Sequence, residues 1–341
     1  MKNKHAIIFV PGVLGTELYH VNAEQEKNKV WPLGVQDVAL IIRKEKLGLS
    51  KNSYKTFLEL RACDEEGKSC SNIVTGEVIN SFYGFFDFYQ NISETFEKNG
   101  FDTYTFPYDW RLDVQTHDSA LHERVEHARD THESVSLVAH SLGALVARSY
   151  LKNHTPDFEK TIFVSPIHNG TPLAYFVVKT GKGGLYRYGM FDNVVGDLTA
   201  NYPSLYQMCP NEFYFNNQRA QNNREWLDMF DTQDTFDARH IYEYNPSSKL
   251  PNTLLARNAL RFHHALGHDG EGVLNLRGTG LKTLCYLRFG KQDVSFTYCP
   301  QGDGTVTETG SFLSHAKNIS VPEKSHTALI NPALLYGFLC P

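Results

Sequence analysis

No apolar run in this chain of 341 residues is long enough to cross a bilayer. No segment repeats and none is of low complexity, which excludes solenoids, propellers and fibrous arrays. A dominant charge is also missing. The chain has 33 Lys and Arg against 38 Asp and Glu, a net −5, so it lacks the basic footprint of a nucleic-acid binder. The six cysteines (Cys63, Cys70, Cys209, Cys285, Cys299 and Cys340) form no Cys-x-x-Cys pair. That spacing argues against a zinc cluster and against a dithiol redox motif. The N-terminus offers no cleavable leader: the apolar run at residues 6–10 is short and no small-residue cleavage site precedes it. A cytoplasmic protein with reduced thiols is the expectation, or a secreted one if the numbering begins at a mature form.

What the chain does have is apolar material for a large core, 41% of residues. Residues 7–10 form a continuous apolar run ended by Pro11-Gly12, the pattern of a buried parallel strand. Residues 101–106, 135–138 and 161–164 read as further strands, and strand signals return at 282–289 and 316–321. Residues 85–99 read as a helix capped by Gly100. Residues 119–131 read as an amphipathic helix with Leu121, Val125 and Ala128 on one face. Strands alternating with helices predict an α/β chain with a mostly parallel central sheet flanked by helices. Residues 31–75 are polar and Lys-rich apart from a helix signal over 35–46. Residues 174–252 are dominated by Gly, Asn and aromatics. The expected organisation is a core of residues 1–30, 76–173 and 253–341, a lid-like insertion at 31–75 and a cap insertion at 174–252.

Ala139-His140-Ser141-Leu142-Gly143 stands between the strand at 135–138 and an amphipathic run at 142–151. Strand, sharp turn with a central serine, then helix is the layout of a nucleophile elbow. The turn lifts the serine hydroxyl above the sheet and presents the next N–H at a helix N-terminus, where it can bind an oxyanion. Ser141 could also be a plain helix N-cap. A serine nucleophile needs a base and an acid, and in such sheets they follow in the order serine, acid, histidine. Asp303 sits in Gly302-Asp303-Gly304, where two glycines permit a tight turn; an ordinary surface turn is the other reading. His326 follows the strand signal at 316–321 and is the candidate base, with a surface loop histidine as the alternative. Val13, in the turn Pro11-Gly12-Val13-Leu14-Gly15, would pair its N–H with that of Leu142 as the second oxyanion donor.

These pieces, in this order, resemble the lecithin:cholesterol acyltransferase family, which includes lysosomal phospholipase A2. The resemblance rests on Val10-Pro11-Gly12-Val13-Leu14-Gly15-Thr16-Glu17-Leu18, Pro107-Tyr108-Asp109-Trp110-Arg111-Leu112 and the elbow at 139–143. It continues through Asn169-Gly170-Thr171-Pro172-Leu173-Ala174, Tyr202-Pro203-Ser204-Leu205-Tyr206, residues 302–306 and the His326 segment. It implies the α/β-hydrolase fold, with lid and cap insertions, and a triad of Ser141, Asp303 and His326. It further implies ester substrates with long acyl chains, whose acyl group passes to water or to another alcohol. The chemistry requires no metal and no cofactor. The expected partner is an ester substrate of lipid type, with transient contact at a membrane surface. The sequence leaves oligomeric state open. Ala139 replaces the glycine usual in the elbow. Secreted relatives carry a lid disulfide in the region of Cys63 and Cys70, whose close spacing leaves that bond open here.

Leu14, Trp110, Tyr175 and Phe176 are candidate substrate-binding residues, and Phe213-Tyr214-Phe215 could join Tyr175-Phe176 in an acyl pocket. Asp109 beside Arg111 reads as a structural ion pair, because an acid preceding the serine breaks the expected order. His140 is expected to point away from the nucleophile. His264 and His268 are at helical i, i+4 spacing, but no general-base Glu accompanies them and Gly267 interrupts the helix; a core helix is the better reading. A non-catalytic binding protein on the same fold is the competing function, disfavoured by an intact serine, acid and histidine.

Overall fold

Ala6, Ile7, Ile8, Phe9 and Val10 are all fully buried, because both faces of the first strand are covered. Ala6, Ile8 and Val10 join one apolar cluster, and Ile7 and Phe9 join another, as the two-residue period of a strand requires. The molecule is known from a computed structural model, which describes residues 3–47, 51–82, 86–87, 89, 92–182, 192–221, 252–289 and 294–339.

In chain order the elements begin with β1 (Asn3–Val10), β2 (Thr16–Val21), β3 (Lys27–Trp31), α1 (Val35–Leu47) and α2 (Lys51–Glu59). Next come β4 (Ile73–Val78), β5 (Ser81–Phe82), β6 (Phe86–Asp87), α3 (Ile92–Lys98), β7 (Asp102–Thr105) and α4 (Asp118–Thr131). The centre of the chain supplies β8 (His132–His140), α5 (Leu142–Asn153), β9 (Thr161–Val164) and α6 (Pro172–Thr180). Then follow α7 (Asp192–Thr199), α8 (Pro203–Gln207), α9 (Glu212–Gln221) and α10 (Thr253–Leu266). The last are β10 (Val273–Thr279), β11 (Thr283–Phe289), β12 (Val294–Cys299), α11 (Glu308–Ser311), β13 (Lys317–Pro322) and α12 (Pro332–Leu339).

The main sheet has six strands in the order β13-β10-β9-β8-β1-β7, and every neighbouring pair is parallel. Leu121, Val125 and Ala128 of α4 pack on one face together with α5, and Ile92 and Phe96 of α3 pack on the other with Leu335 and Leu339 of α12. Parallel strands force each connection to cross a face, so all the strand ends that carry loops of the same sense gather at one edge. That edge carries the candidate site.

Three expectations are corrected. The helix expected at 85–99 is shorter: Phe86–Asp87 pairs with Ser81–Phe82 as a two-stranded ribbon, and the helix begins at Ile92. The apolar run at 282–289 does form a strand, but among the described residues β11 pairs only with β12, as an antiparallel hairpin outside the main sheet. The main-sheet strand ahead of the Asp303 loop is β10, whose sequence carries no strand signal. Reduced thiols are corrected for one pair: Cys285 and Cys299 form a disulfide across the hairpin, whereas Cys63 and Cys70 are free.

The two segments read as lid and cap touch each other. Ile41 of α1 and Tyr54 and Phe57 of α2 form a small apolar cluster with Val194 of α7, and the Tyr54 hydroxyl donates to Asp197 at 2.9 Å.

Candidate active site

Ser141 sits between β8 and α5 with φ 53° and ψ −121°, a backbone region costly for any residue with a side chain. It precedes α5 but its side chain makes no capping bond, which removes the plain N-cap reading. Its Oγ instead lies 3.0 Å from Nε2 of His326. The turn is tight because the start of α5 presses on the end of β1. A Cβ at Gly143 would collide with the carbonyl oxygens of Pro11 and Val10. Ala139, in register with Val10 and Phe163, is fully buried and accommodated.

His326 Nδ1 donates to Oδ2 of Asp303 at 2.8 Å. The other oxygen, Oδ1, accepts from the backbone N–H of Thr305 at 2.9 Å and of Val306 at 2.7 Å. Burial would raise the Asp303 pKa, but the His326 ring and those two amides outweigh it and hold the carboxyl below the ordinary value. The backbone ties the same parts together: His326 N–H donates to the Asp303 carbonyl at 3.0 Å. The Asp303 turn is also anchored to the hairpin, since Gly304 N–H donates to Thr283 Oγ1 at 2.9 Å.

The loop after β1 lies against the elbow. A Cβ at Gly12 would sit 2.9 Å from that of Ser141. Several of its groups are anchored: Gly15 N–H donates to the Gly12 carbonyl at 3.1 Å, and the Trp31 indole donates to the Leu14 carbonyl at 2.9 Å. Leu14 has φ 64°. Among the described residues neither Val13 N–H nor Leu142 N–H has a protein acceptor. Two free amide donors therefore flank a serine–imidazole–carboxylate line, an arrangement able to activate a hydroxyl and to bind an oxyanion.

His140 does not point away. Its ring lies 4.8 Å from that of His326, centroid to centroid, and its Nε2 is 3.2 Å from the His326 carbonyl. The Tyr89 hydroxyl, which no local signal marked, meets both His140 Nδ1 and Gly12 N–H.

The four candidate substrate-binding residues are dispersed. Leu14 is in the loop beside the elbow. Trp110 is buried, with its indole N–H on the Thr16 carbonyl at 3.2 Å and its ring edge-on to Trp31. Tyr175 and Phe176 lie on α6; Phe176 packs against Leu284 and Leu287 of the hairpin. Tyr214 is buried with its hydroxyl on the Cys285 carbonyl at 2.9 Å, and Phe213 stacks on Phe312. Asp109 is the partner of Arg111, in a two-pronged pair at 2.9 and 2.6 Å, as the ion-pair reading expected. Arg111 also donates to the Arg61 carbonyl at 2.7 Å and Ser69 Oγ at 3.0 Å, fastening residues 61–69 to the segment after β7. His264 is exposed and His268 packs on Phe213. Among the described residues no three metal-ligating side chains converge.

The family model described as lecithin:cholesterol acyltransferase matches residues 79–266, more than half of the sequence. The chain belongs to the lecithin:cholesterol acyltransferase family. Membership puts it among acyl-ester hydrolases and acyltransferases. The α/β-hydrolase fold is shared with a chain of the Tle4–Tli4 complex, at 12% identity and a TM-score of 0.55 over 99% of this chain and 98% of that one. Lipase BlEst2 of Bacillus licheniformis, in its mature form, aligns at 15% identity and a TM-score of 0.41 over 98% of this chain and 90% of that one. No curated protein sequence matches the chain.

Proposed function

We propose that this protein is a serine ester hydrolase or acyltransferase acting on lipid esters through an acyl-serine intermediate. The observation that carries the reading is the unbroken line Asp303 Oδ2–His326–Ser141 Oγ, at 2.8 and 3.0 Å. In the proposed first step, the Ser141 proton moves to His326 Nε2 as Oγ bonds to the ester carbonyl carbon. Val13 and Leu142 N–H groups receive the oxyanion; losing one such donor costs roughly 10²–10³ in rate. Asp303 fixes the imidazole tautomer and stabilises its cation. The carbon–oxygen bond to the alcohol then breaks, and His326 returns its proton to the departing alkoxide. Water or an acceptor alcohol gives a proton to His326, attacks the acyl carbon, and Ser141 leaves as its Oγ is reprotonated. The chemistry uses only side chains and amides of this chain.

On this reading, residues 31–75 act as a lid and 174–252 as a cap over the acyl chain; residues 183–191 and 222–251 of the cap lie outside the described residues. The Cys285–Cys299 bond supports an oxidising compartment rather than the cytoplasm.

The test is covalent labelling by a fluorophosphonate probe, expected in the wild type and absent in Ser141→Ala; labelling that persists in the variant refutes the assignment. An acyl-chain series of esters, with and without an added alcohol, then reads chain preference and transfer from the products. A long-chain optimum is expected, and a preference for acetyl esters would refute the lipid substrate.

A further inference from the structure

Two buried phenols grip a single peptide unit of the loop after β1. The Tyr108 hydroxyl donates to the Pro11 carbonyl at 2.9 Å. On the opposite edge of the same peptide plane, Gly12 N–H donates to the Tyr89 hydroxyl at 2.6 Å. The far side of the histidine places the protons. The His326 carbonyl can only accept, so His140 Nε2, 3.2 Å away, carries the ring proton and donates to it. A neutral imidazole protonated on Nε2 accepts at Nδ1, so the Tyr89 hydroxyl, 2.8 Å away, donates there. The ring is neutral because burial, reinforced by the nearby His326, lowers its pKa to about 3. Burial pushes the Tyr89 phenol up, so it stays a donor.

The chain of bonds therefore runs Gly12 to Tyr89 to His140 to His326. It links the loop bearing Val13, the elbow bearing Ser141 and the loop bearing the histidine. The next amide after the gripped peptide is that of Val13. Rotating the Pro11–Gly12 peptide would strand buried partners on both edges at once, a heavy cost for groups shielded from water.

We infer that Tyr89 and His140 are positioning residues, which lock the Pro11–Gly12 peptide so that Val13 N–H stays aimed at the acyl oxygen in the transition state. The inference rests on the acyl-serine chemistry proposed above. Both residues are buried and act through the loop backbone.

The test uses three variants of the full chain, each checked by thermal melting. Tyr89→Phe keeps the ring contacts with Phe9 and His140 and removes only the hydroxyl. Its kcat should fall about 10- to 100-fold with KM within about twofold, the signature of an interaction realised in the transition state. His140→Leu should fall similarly. His140→Gln, whose amide can accept from Tyr89 and donate to His326, should recover to within severalfold of wild type. Unchanged kcat in Tyr89→Phe, or equal losses in the Gln and Leu variants, overturns the inference. A second readout needs no turnover. Exchange of the Gly12 amide proton, followed by NMR, should speed up at least tenfold in Tyr89→Phe, and unchanged exchange overturns the lock. If the wild type takes no probe at Ser141, the acyl-serine reading falls while the exchange measurement still decides the lock.

Discussion

The elbow at Ser141 is held where backbone packs on backbone, whereas Asp303 is held by hydrogen bonds in a segment tied to a hairpin outside the main sheet. Around Ser141 there is no room: the first turn of α5 rests on the carbonyls that end β1, and Gly143 is the residue that lets it. Around Asp303 the turn hangs from Thr283 at the root of a disulfide-linked hairpin. The first arrangement fixes atoms by exclusion and fails when volume is added. The second fixes them by connection and fails when links are removed. A bent elbow must be rigid to stay strained, while a carboxylate needs only its two amides and its imidazole.

The largest expected effect removes a link. In Asp303→Asn, the side-chain oxygen can keep the Thr305 and Val306 amides, but the NH₂ then faces His326 Nδ1. The ring must accept there and carry its proton on Nε2, where it can no longer take one from Ser141. A fall of about 10⁴ in kcat is expected, with little change in the melting temperature; a loss below tenfold would mean another acid serves the histidine. Next comes added volume. Gly143→Ala should lower stability by about 3 kcal/mol in urea unfolding, at the upper end of overpacking costs, and a loss under 1 kcal/mol would show that the strand end moves aside. Replacing Cys285 and Cys299 by Ala opens a loop with a sequence separation of 14 and should cost two to three kcal/mol by the chain-entropy argument, roughly 3 kcal/mol for such a loop. Equal denaturation midpoints with and without the bond would show that the hydrogen bonds of the turn suffice.

The smallest effect separates the halves by pH. His140 titrates at about 3 when folded, against about 6.5 when unfolded. As pH falls below 6.5 the unfolded chain takes up a proton that the folded one refuses, so stability falls with pH until about 3 is reached. One such group should remove about 2 kcal/mol between pH 7 and pH 5. His263, lowered to about 4 chiefly by burial, acts in the same direction. Asp303, held below its ordinary value, contributes stability that is fully present above about pH 4 and is lost only as pH drops through the folded value. As pH falls, the buried histidines should therefore cost stability before Asp303 does. Urea unfolding of wild type and His140→Gln at pH 7 and 5 checks this, with a shallower pH dependence expected in the variant and identical slopes refuting it.

The same contrast explains what could be read from the sequence. The strands around Ser141 are continuous apolar runs, and the run at 161–164 has the same bounds as β9. The elbow shows itself because strand, turn and helix are neighbours in sequence. β10 was hidden because its neighbourhood required polar and small residues. Asn275 is buried in mid-strand, bonding the Ser311 carbonyl and Asn318 at 2.8 Å each, and Gly278 leaves space for the Cβ of Asp303. These break the apolar pattern that marks a strand. β11 shows the converse: its apolar run covers Phe176 and the underside of a hairpin, not the sheet. Tyr89 and His140 were illegible because their partners are 77 and 186 residues away, beyond any local spacing.

The φ of 53° at Ser141 has a consequence for laboratory evolution. A strained non-glycine residue of this kind costs of order 1–3 kcal/mol, which glycine would largely relieve. A screen for thermal resistance alone would reward Ser141→Gly and discard the hydroxyl that the proposed chemistry uses. In this fold, then, heat tolerance and turnover compete for one codon, and a hardier enzyme must be sought at positions remote from the elbow.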